Sequence, residues 1–277
     1  MADVCLTLLG PPILARADTG RLVPQPSAKA LALLTYLALE SGLHTREELA
    51  GLLWGESSDD EARASLRQAL KHLRAQIGEL LRITRASVGL EGPLDCEVCE
   101  FRRRVAQEPT LALTTEIPRF LSGFSIRHSP RFEEWAAETR RGLMHQYQDA
   151  LSTLTREAMG QWRWRDAIAI ADRWLTGDPL SDDAVRLAIE ARYLAGDRGA
   201  ALGRYQQYRA TLLQETGCEP SRGLLNLIAI ALRCVERSAD EGEREQWQRE
   251  VSKARERLEG LYQAGLPRDF LKEPPAA

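Results

Sequence analysis

The residues with the clearest capacity to recognise another molecule lie in a basic segment from Arg63 to Arg85. This segment holds six Lys or Arg residues and one acidic residue, Glu79. An apolar stripe recurs in it at helical spacing, formed by Leu66, Leu70, Leu73 and Ile77. The opposite face of the same helix carries Arg67, Gln68, Lys71 and His72. Arginine, lysine and glutamine bond base edges in the major groove of DNA, so the pattern predicts base readout by this face.

Two helices joined by a tight turn are predicted between Thr45 and Gly78. Thr45 with Glu48, and Ser58 with Glu61, have the spacing of capping boxes, in which side chains bond the free amides at a helix start. Gly55 is expected to end the first of these helices, because glycine adopts the left-handed conformation common after a helix. The basic face lies on the second helix.

The flanking segments predict the rest of a winged unit. Apolar runs at 4–9 and 13–17, broken by Gly10-Pro11-Pro12 and followed by Leu22-Val23, predict a small antiparallel sheet. Ser27 is expected to cap a first helix over 27–40. Residues 80–84 and 88–90 flank a short turn and predict a hairpin. A sheet, three helices and a hairpin wing are typical of a winged helix-turn-helix of the response-regulator effector type.

Further cations near this face are candidates for contacts to the DNA backbone or in the wing. They are Lys29, Arg63, Arg74, Arg82 and Arg85. Contacts of this kind position a protein on the duplex without reading its sequence. A solvated side chain explains Lys29 equally well.

A solvated face on an ordinary packed helix is the alternative interpretation of the basic segment, since most amphipathic helices only pack. Bulk charge gives no help, because the 277-residue chain has a net charge of −3 and its first 95 residues are slightly acidic. The prediction of DNA contact therefore depends on the local cluster of cations and on its neighbourhood.

The rest of the chain has a helical pattern. Gly92-Pro93 is expected to end a first domain, 1–93, and to precede an all-α domain, 94–238. Ala167-Ile168 and Ala201-Leu202 lie 34 residues apart, the period of tetratricopeptide-like helical hairpins. Trp162 stands where such units usually have glycine, and Trp162, Trp164 and Trp174 are expected in the core or a groove. A third segment, 239–277, holds an amphipathic helix over 240–262 and a tail.

No catalytic motif is present in the sequence: it lacks a phosphate-binding glycine loop, a nucleophile elbow and plausibly paired carboxylates. Cys96 and Cys99 have metal or redox spacing, but no second ligand pair completes a zinc site, so both are expected in the first turn of a linker helix. No apolar run approaches the roughly 20 residues that span a bilayer. The N-terminus lacks the basic start of a signal peptide. We therefore expect a cytoplasmic protein that is not an enzyme and has no cofactor, metal or membrane contact.

Several segments resemble the Streptomyces antibiotic regulatory protein family. The DNA-binding half of that family is similar to residues 27–34, 47–54 and 64–74. Leu121-Ser122-Gly123-Phe124 and Phe132-Glu133-Glu134-Trp135 resemble the bacterial transcriptional activator domain that follows it in the family. The resemblance implies a mainly α fold with a small β component: a winged helix-turn-helix followed by an all-α, tetratricopeptide-like domain.

The same resemblance implies a sequence-specific transcriptional activator that binds direct repeats of double-stranded DNA near promoters. It also implies a homodimer on DNA and recruitment of RNA polymerase holoenzyme. Two alternatives remain open. One is a helical-repeat scaffold for protein interactions whose winged domain no longer binds DNA. The other is the N-terminal piece of a larger regulator that contains an ATPase. The basic face with Gln68 favours DNA binding over a pure interaction module, which has no need of it.

Overall fold

The computed structural model describes residues 4–24, 26–92, 94–116, 119–225 and 227–228. They divide into two compact units, of which the first ends at Tyr147 and the second begins at Gln148. The predicted helix over 240–262 lies outside the described residues. No described helix has both the length and the apolar character that a membrane span requires.

The first unit has the predicted order of a small sheet, three helices and a hairpin, followed by shorter helices. Its strands are β1 (Val4–Thr7), β2 (Ile13–Arg16), β3 (Leu43–Thr45), β4 (Leu81–Ile83), β5 (Ser87–Leu90) and β6 (Asp95–Cys96). Its complete helices are α1 (Ala28–Leu39), α2 (Arg46–Trp54), α3 (Asp59–Ile77), α4 (Glu97–Arg104) and α5 (Leu111–Thr114). A long helix, α6 (Pro130–Gly160), follows. The mainly α fold with a small β component is thus confirmed.

Two three-stranded sheets flank these helices. In the first, β1 pairs antiparallel with β2, from Val4 opposite Arg16 to Thr7 opposite Ile13, and β6 adds in parallel on the other side of β1. In the second, β5 lies between β3 and β4, and both pairs are antiparallel. The hairpin of β4 and β5 is the predicted wing. Strands β3 and β6 were not predicted. Asp95 and Cys96 form β6, and α4 begins at Glu97, so the expected position in the first turn of a helix is wrong for Cys96 and correct for Cys99.

Residues 119–147 complete the core of the first unit. Phe120 and Phe132 are almost fully buried, and both rings pack on Trp135, at centroid distances of 6.0 and 5.3 Å. The indole of Trp135 also meets Tyr36 of α1 at 5.1 Å and donates to the Glu40 carboxylate at 3.0 Å. By packing, the chain therefore divides between Tyr147 and Gln148. The boundary expected at 93/94 separates functional domains, which packing does not test, so it stays a prediction.

The second unit continues from α6 into three helices: α7 (Trp164–Gly177), α8 (Asp182–Leu194) and α9 (Arg198–Thr216). Helices α7 and α9 begin 34 residues apart, as the repeat predicts. Ala167 and Ala201, the small residues of that repeat, are fully buried. Small side chains at these points let neighbouring helices approach closely, so the helical-hairpin prediction is confirmed.

The repeat also explains a strained residue. Trp162 has φ +62°, and Gly196, 34 residues later, has φ +86°. Glycine adopts this conformation without the steric cost that a Cβ incurs. Trp162 is 47% exposed, and its ring meets Trp164 at 5.7 Å. Trp162 is therefore not in the core, Trp164 is half-buried, and Trp174 is buried as predicted.

Gly196→Ala is expected to lower the free energy of unfolding by about 1 kcal/mol, because an L-residue pays for the left-handed conformation. A Cβ at Gly196 meets no neighbour within 4 Å, so backbone strain is the only expected cost. Gly203→Ala is the matched control: it lies inside α9, also in open space, and should raise stability slightly through helix propensity. Urea unfolding of both variants measures the difference. Equal stability of the two variants would contradict the strain.

Candidate nucleic-acid interface

Helix α3 has the two faces that its sequence predicts. The stripe side is buried, with Leu66, Leu70, Leu73 and Ile77 between 0 and 7% exposed. The other side is exposed and carries Arg67, Gln68, Lys71 and His72. Helix α3 packs mainly against α2 and α1, so the buried stripe fixes the orientation of the polar face. Whether these four residues touch bases stays a prediction.

The exposed side chains of α3 are held by weak contacts only. The Gln68 amide nitrogen lies 3.4 Å from His72 Nε2, and Arg67 Nε donates to the Arg63 carbonyl at 3.3 Å. Among the described residues no carboxylate lies within ion-pair distance of Arg67 or Lys71. These cations can therefore turn toward a new partner without first breaking a strong interaction.

Capping fixes both helix starts. The Thr45 hydroxyl accepts from the Glu48 amide, and the Glu48 carboxylate accepts from the Thr45 amide, which completes the predicted capping box. These hydrogen bonds lower the pKa of Glu48. At the second start the Glu61 carboxylate accepts from both the amide and the hydroxyl of Ser58, and its pKa is lowered as well. The turn between α2 and α3 is thus held at its C-terminal side.

Gly55 ends α2 for a different reason from the predicted one. Its backbone is right-handed, with φ −62°, so the expected left-handed end is wrong. A Cβ at Gly55 would lie 2.7 Å from the carbonyl oxygen of Gly51. Glycine is therefore required here by close backbone contact.

Lys29 is bound within the fold. Its ammonium donates to the Leu53 carbonyl at 2.6 Å and lies 5.4 Å from the centre of the buried Trp54 ring. Burial lowers the pKa of Lys29, and Glu56 opposes that effect. These contacts tie α1 to the end of α2 and account for Lys29 without DNA; a phosphate contact by this residue stays a prediction.

The wing presents Arg85 at its tip. Arg85 is exposed in the turn between β4 and β5, which the Thr84 hydroxyl closes by accepting from the Ser87 amide at 2.9 Å. Arg46, at the start of α2, donates through Nε and Nη2 to the Thr84 carbonyl at 3.3 and 3.0 Å. The backbone amide of Arg46 also donates to the carbonyl oxygen of Ala86 at 3.1 Å. These bonds fix the wing turn to α2.

The other three cations that were predicted to contact the DNA backbone differ in whether a carboxylate already binds them. Arg63 is exposed. Arg74 pairs with Glu79 at 3.2 Å and Arg82 pairs with Glu91 at 3.3 Å, all four side chains being about half exposed or more. Exposed pairs of this kind contribute roughly 0–1 kcal/mol, so a phosphate can replace either carboxylate at small cost.

Comparison with known proteins gives a domain match within this chain. Residues 120–232 match the family model of the bacterial transcriptional activator domain. The chain is also 28% identical to the regulatory protein AfsR of Streptomyces griseus, over 85% of this chain and 25% of that protein. Residues 120–232 therefore carry a bacterial transcriptional activator domain, and the chain as a whole is similar to a Streptomyces regulatory protein. It spans about a quarter of the length of AfsR.

The fold of this chain also has a solved counterpart. A structure of Mycobacterium tuberculosis EmbR in complex with a low-affinity phosphopeptide matches 84% of this chain and 66% of that chain, with a TM-score of 0.64. The sequence identity is 20%, so the similarity concerns the fold.

The matched domain begins before the second unit. The segment that carries Leu121-Ser122-Gly123-Phe124 and Phe132-Glu133-Glu134-Trp135 lies within residues 119–147, which belong to the first unit. The two motifs that suggested the family thus include the aromatic residues Phe132 and Trp135 of that core. The sequence matched to the activator domain thus contributes directly to the packing around the winged helices.

One residue that positions the wing was not predicted from the sequence. Arg46 directly follows Thr45 of the capping box, and a helix-start arginine without periodicity gives no signal of a bond to a carbonyl 38 positions later. The pairing of β3 with β5, which the sequence did not predict, brings the start of α2 beside the wing.

Cys96 and Cys99 contribute no metal centre among the described residues, where no group of three or more metal-ligating side chains occurs. Cys96 is buried, and its hydrogen bond with Cys99, together with burial, raises the pKa of its thiol. The Cys99 thiol donates to the Ala38 carbonyl at 3.4 Å. Both residues serve as contacts between α4 and its surroundings.

Proposed function

We propose that this chain is a sequence-specific, DNA-binding transcriptional activator that places α3 in the major groove of direct-repeat operators. The observation that carries the proposal is the exposed cationic face of α3, with no ion-pair partner for Arg67 or Lys71 among the described residues. A pure interaction module needs no such face, whereas base readout requires free donors on a helix that its other face holds in place.

Charge along α3 indicates which part of it approaches the duplex. The first turn is acidic, with Asp59, Asp60 and Glu61, and the cations follow from Arg63 onward. The 19-residue helix is roughly 28 Å long at 1.5 Å per residue. Phosphates repel the acidic end, so the middle of the helix, around Gln68 and Lys71, is the part proposed to enter the groove.

Arg67→Ala and Gln68→Ala are each expected to weaken binding to the preferred operator by about 1–3 kcal/mol, because each removes a hydrogen bond to a base edge. Selection of bound sequences from a random DNA pool supplies the operator, and titration of the variants measures the loss. Arg16→Ala is the matched control, since Arg16 is an exposed arginine on β2 that lies 3.9 Å from Asp18. Wild-type affinity and specificity in both α3 variants would remove the basis of the proposal.

Arg85→Ala is expected to weaken binding to operator and to random DNA alike, because a wing cation contacts the phosphates or the minor groove. The slope of log affinity against log salt should become shallower by about one unit, as one phosphate contact is lost. Arg21→Ala, at an exposed turn after β2, is the control and should leave the slope unchanged. A loss confined to the operator would instead assign Arg85 to base readout.

The proposal extends to partners. The activator domain is proposed to bring RNA polymerase holoenzyme to the promoter and to hold two copies of the chain on adjacent repeats. What supports this is the match of residues 120–232 to a transcriptional activator domain beside a winged unit.

A further inference from the structure

The second unit contains a polar cavity between α7, α8 and α9 that the proposed DNA contact does not use. Its volume is about 450 Å³, within the range of small-ligand sites. Charged and polar side chains line most of it: Asp172, Thr176, Arg192, Arg204 and Gln207. A cavity between packed helices that is lined in this way differs from the apolar cores around it.

One of the two arginines in this cavity is already neutralised. Arg192 Nη2 donates to the Asp172 carboxylate at 2.6 Å, and Nη1 donates to the Ala188 carbonyl at 3.1 Å. The side chain of Arg192 is only 14% exposed, so this is a partly desolvated pair. The charges of Asp172 and Arg192 therefore neutralise each other.

Arg204 keeps an unbalanced charge. Its Nη1 donates to the side-chain oxygen of Gln207 at 2.9 Å, a neutral partner, and its buried Nε has no hydrogen-bond partner among the described residues. The second carboxylate oxygen of Asp172 is likewise buried without a partner, so the two side chains do not complete a pair with each other. The cavity carries two cations and one anion, a net charge of +1.

The pKa of Arg204 is consistent with a net positive charge in the cavity lining. Burial lowers the pKa of Arg204, Arg192 lowers it further, and Asp172 opposes both effects. Arginine remains charged despite such shifts. Burial of the charged Arg204 side chain therefore lowers the stability of the folded protein until an anion binds to it.

We propose that this cavity binds one carboxylate group, held by the guanidinium of Arg204 and the side-chain amide of Gln207. The hydrogen bond from Arg204 occupies the oxygen of Gln207 and leaves its amide hydrogens as donors. A single negative charge matches the net charge of the lining, whereas a phosphate dianion overcompensates it. The carboxylate comes either from an acidic side chain of a peptide or from a small organic acid.

Calorimetric titration of the complete chain tests the site at constant ionic strength. The probes are N-acetylglutamate amide, its neutral analogue N-acetylglutamine amide, and inorganic phosphate. Saturable binding of the glutamate compound is expected, with at least about tenfold weaker binding of the glutamine analogue, because a hydrogen bond to a charged group exceeds a neutral one by about that margin. Inorganic phosphate is expected to bind less tightly than the glutamate compound, because the second charge of the dianion has no counter-charge in the lining. Equal binding of glutamate and glutamine compounds, or no binding of the former, overturns the proposal.

Substitutions on α9 test whether Arg204 and Gln207 hold the carboxylate. Arg204→Met is expected to weaken glutamate binding at least about tenfold. Gln207→Met is expected to weaken glutamate binding less. Because Gln207 is exposed, this variant tests the site without replacing the half-buried Arg204. Arg209→Met is the matched control on α9, because Arg209 is exposed and bonded to Glu219 at 2.8 Å. Thermal unfolding confirms that each variant is folded. Unchanged affinity in the Arg204 and Gln207 variants overturns the assignment.

A last arm separates the two sources of the carboxylate. A capped nine-residue peptide with one central glutamate is compared with N-acetylglutamate amide. Peptide binding that is at least tenfold tighter assigns the site to an acidic peptide segment, and equal binding assigns it to a small organic acid.

Discussion

Leu73→Ala is expected to lower the free energy of unfolding of the first unit by about 2–5 kcal/mol, since it removes a fully buried side chain and leaves a cavity. Leu73 belongs to the stripe by which α3 packs on the core. The same variant is expected to lose operator binding, because the position of the basic face depends on that stripe. Urea unfolding and operator titration measure the two effects.

Leu22→Ala is the matched control for this variant. It makes the same chemical change at a leucine that is 67% exposed, so it removes little buried surface. We expect a loss of less than about 1 kcal/mol and unchanged DNA binding, as for most exposed substitutions. If Leu73→Ala were as stable as Leu22→Ala, the packing of α3 described above would be wrong.

Local patterns in the sequence predicted the elements that carry the proposed site. The apolar stripe, the Thr45 capping box and the wing hairpin each depend on residues within about one turn or one hairpin, and the structure has all three. The 34-residue repeat was predicted equally well, because buried Ala167 and Ala201 mark equivalent helix contacts.

Contacts between distant segments were not predicted. Strand β3 has three residues and β6 has two, too few to show periodicity, and each forms only because a distant strand offers an edge. The packing of Phe120 and Trp135 within the first unit is likewise a tertiary contact. The same holds for Lys29: its sequence position left a phosphate contact and a solvated side chain equally open, and its hydrogen bond to the Leu53 carbonyl depends on the packing of α1 against α2.

The aromatic packing determines which fragment can test DNA binding. A fragment ending at residue 95 lacks Phe120, Phe132 and Trp135 and therefore exposes the surface that these rings cover in the first unit, including Tyr36 of α1. A fragment ending at Tyr147 retains them. We expect the longer fragment to fold and to bind a single half-site weakly, because one winged unit makes few phosphate contacts.

The complete chain is expected to bind paired direct repeats about 10²–10⁴-fold more tightly than a single half-site, since tethering makes the second contact nearly intramolecular. This expectation follows from the proposed dimer. Both copies must meet one face of the duplex, so the repeats should lie about one helical turn apart, roughly 10 base pairs. Inserting about half a turn, 5 base pairs, moves the second repeat to the opposite face and should abolish most of the gain.

Gel shifts of two proteins on two DNA molecules measure this effect. The complete chain should lose most of its affinity on the half-turn-shifted site, whereas the fragment ending at Tyr147 should bind both sites equally. The fragment is the control because it keeps the proposed base-reading face and lacks the second unit. Equal binding of both spacings by the complete chain would exclude the tandem arrangement and would leave base readout by α3 intact. Base readout would then act through one copy at a time, and the activator domain would need another role than pairing.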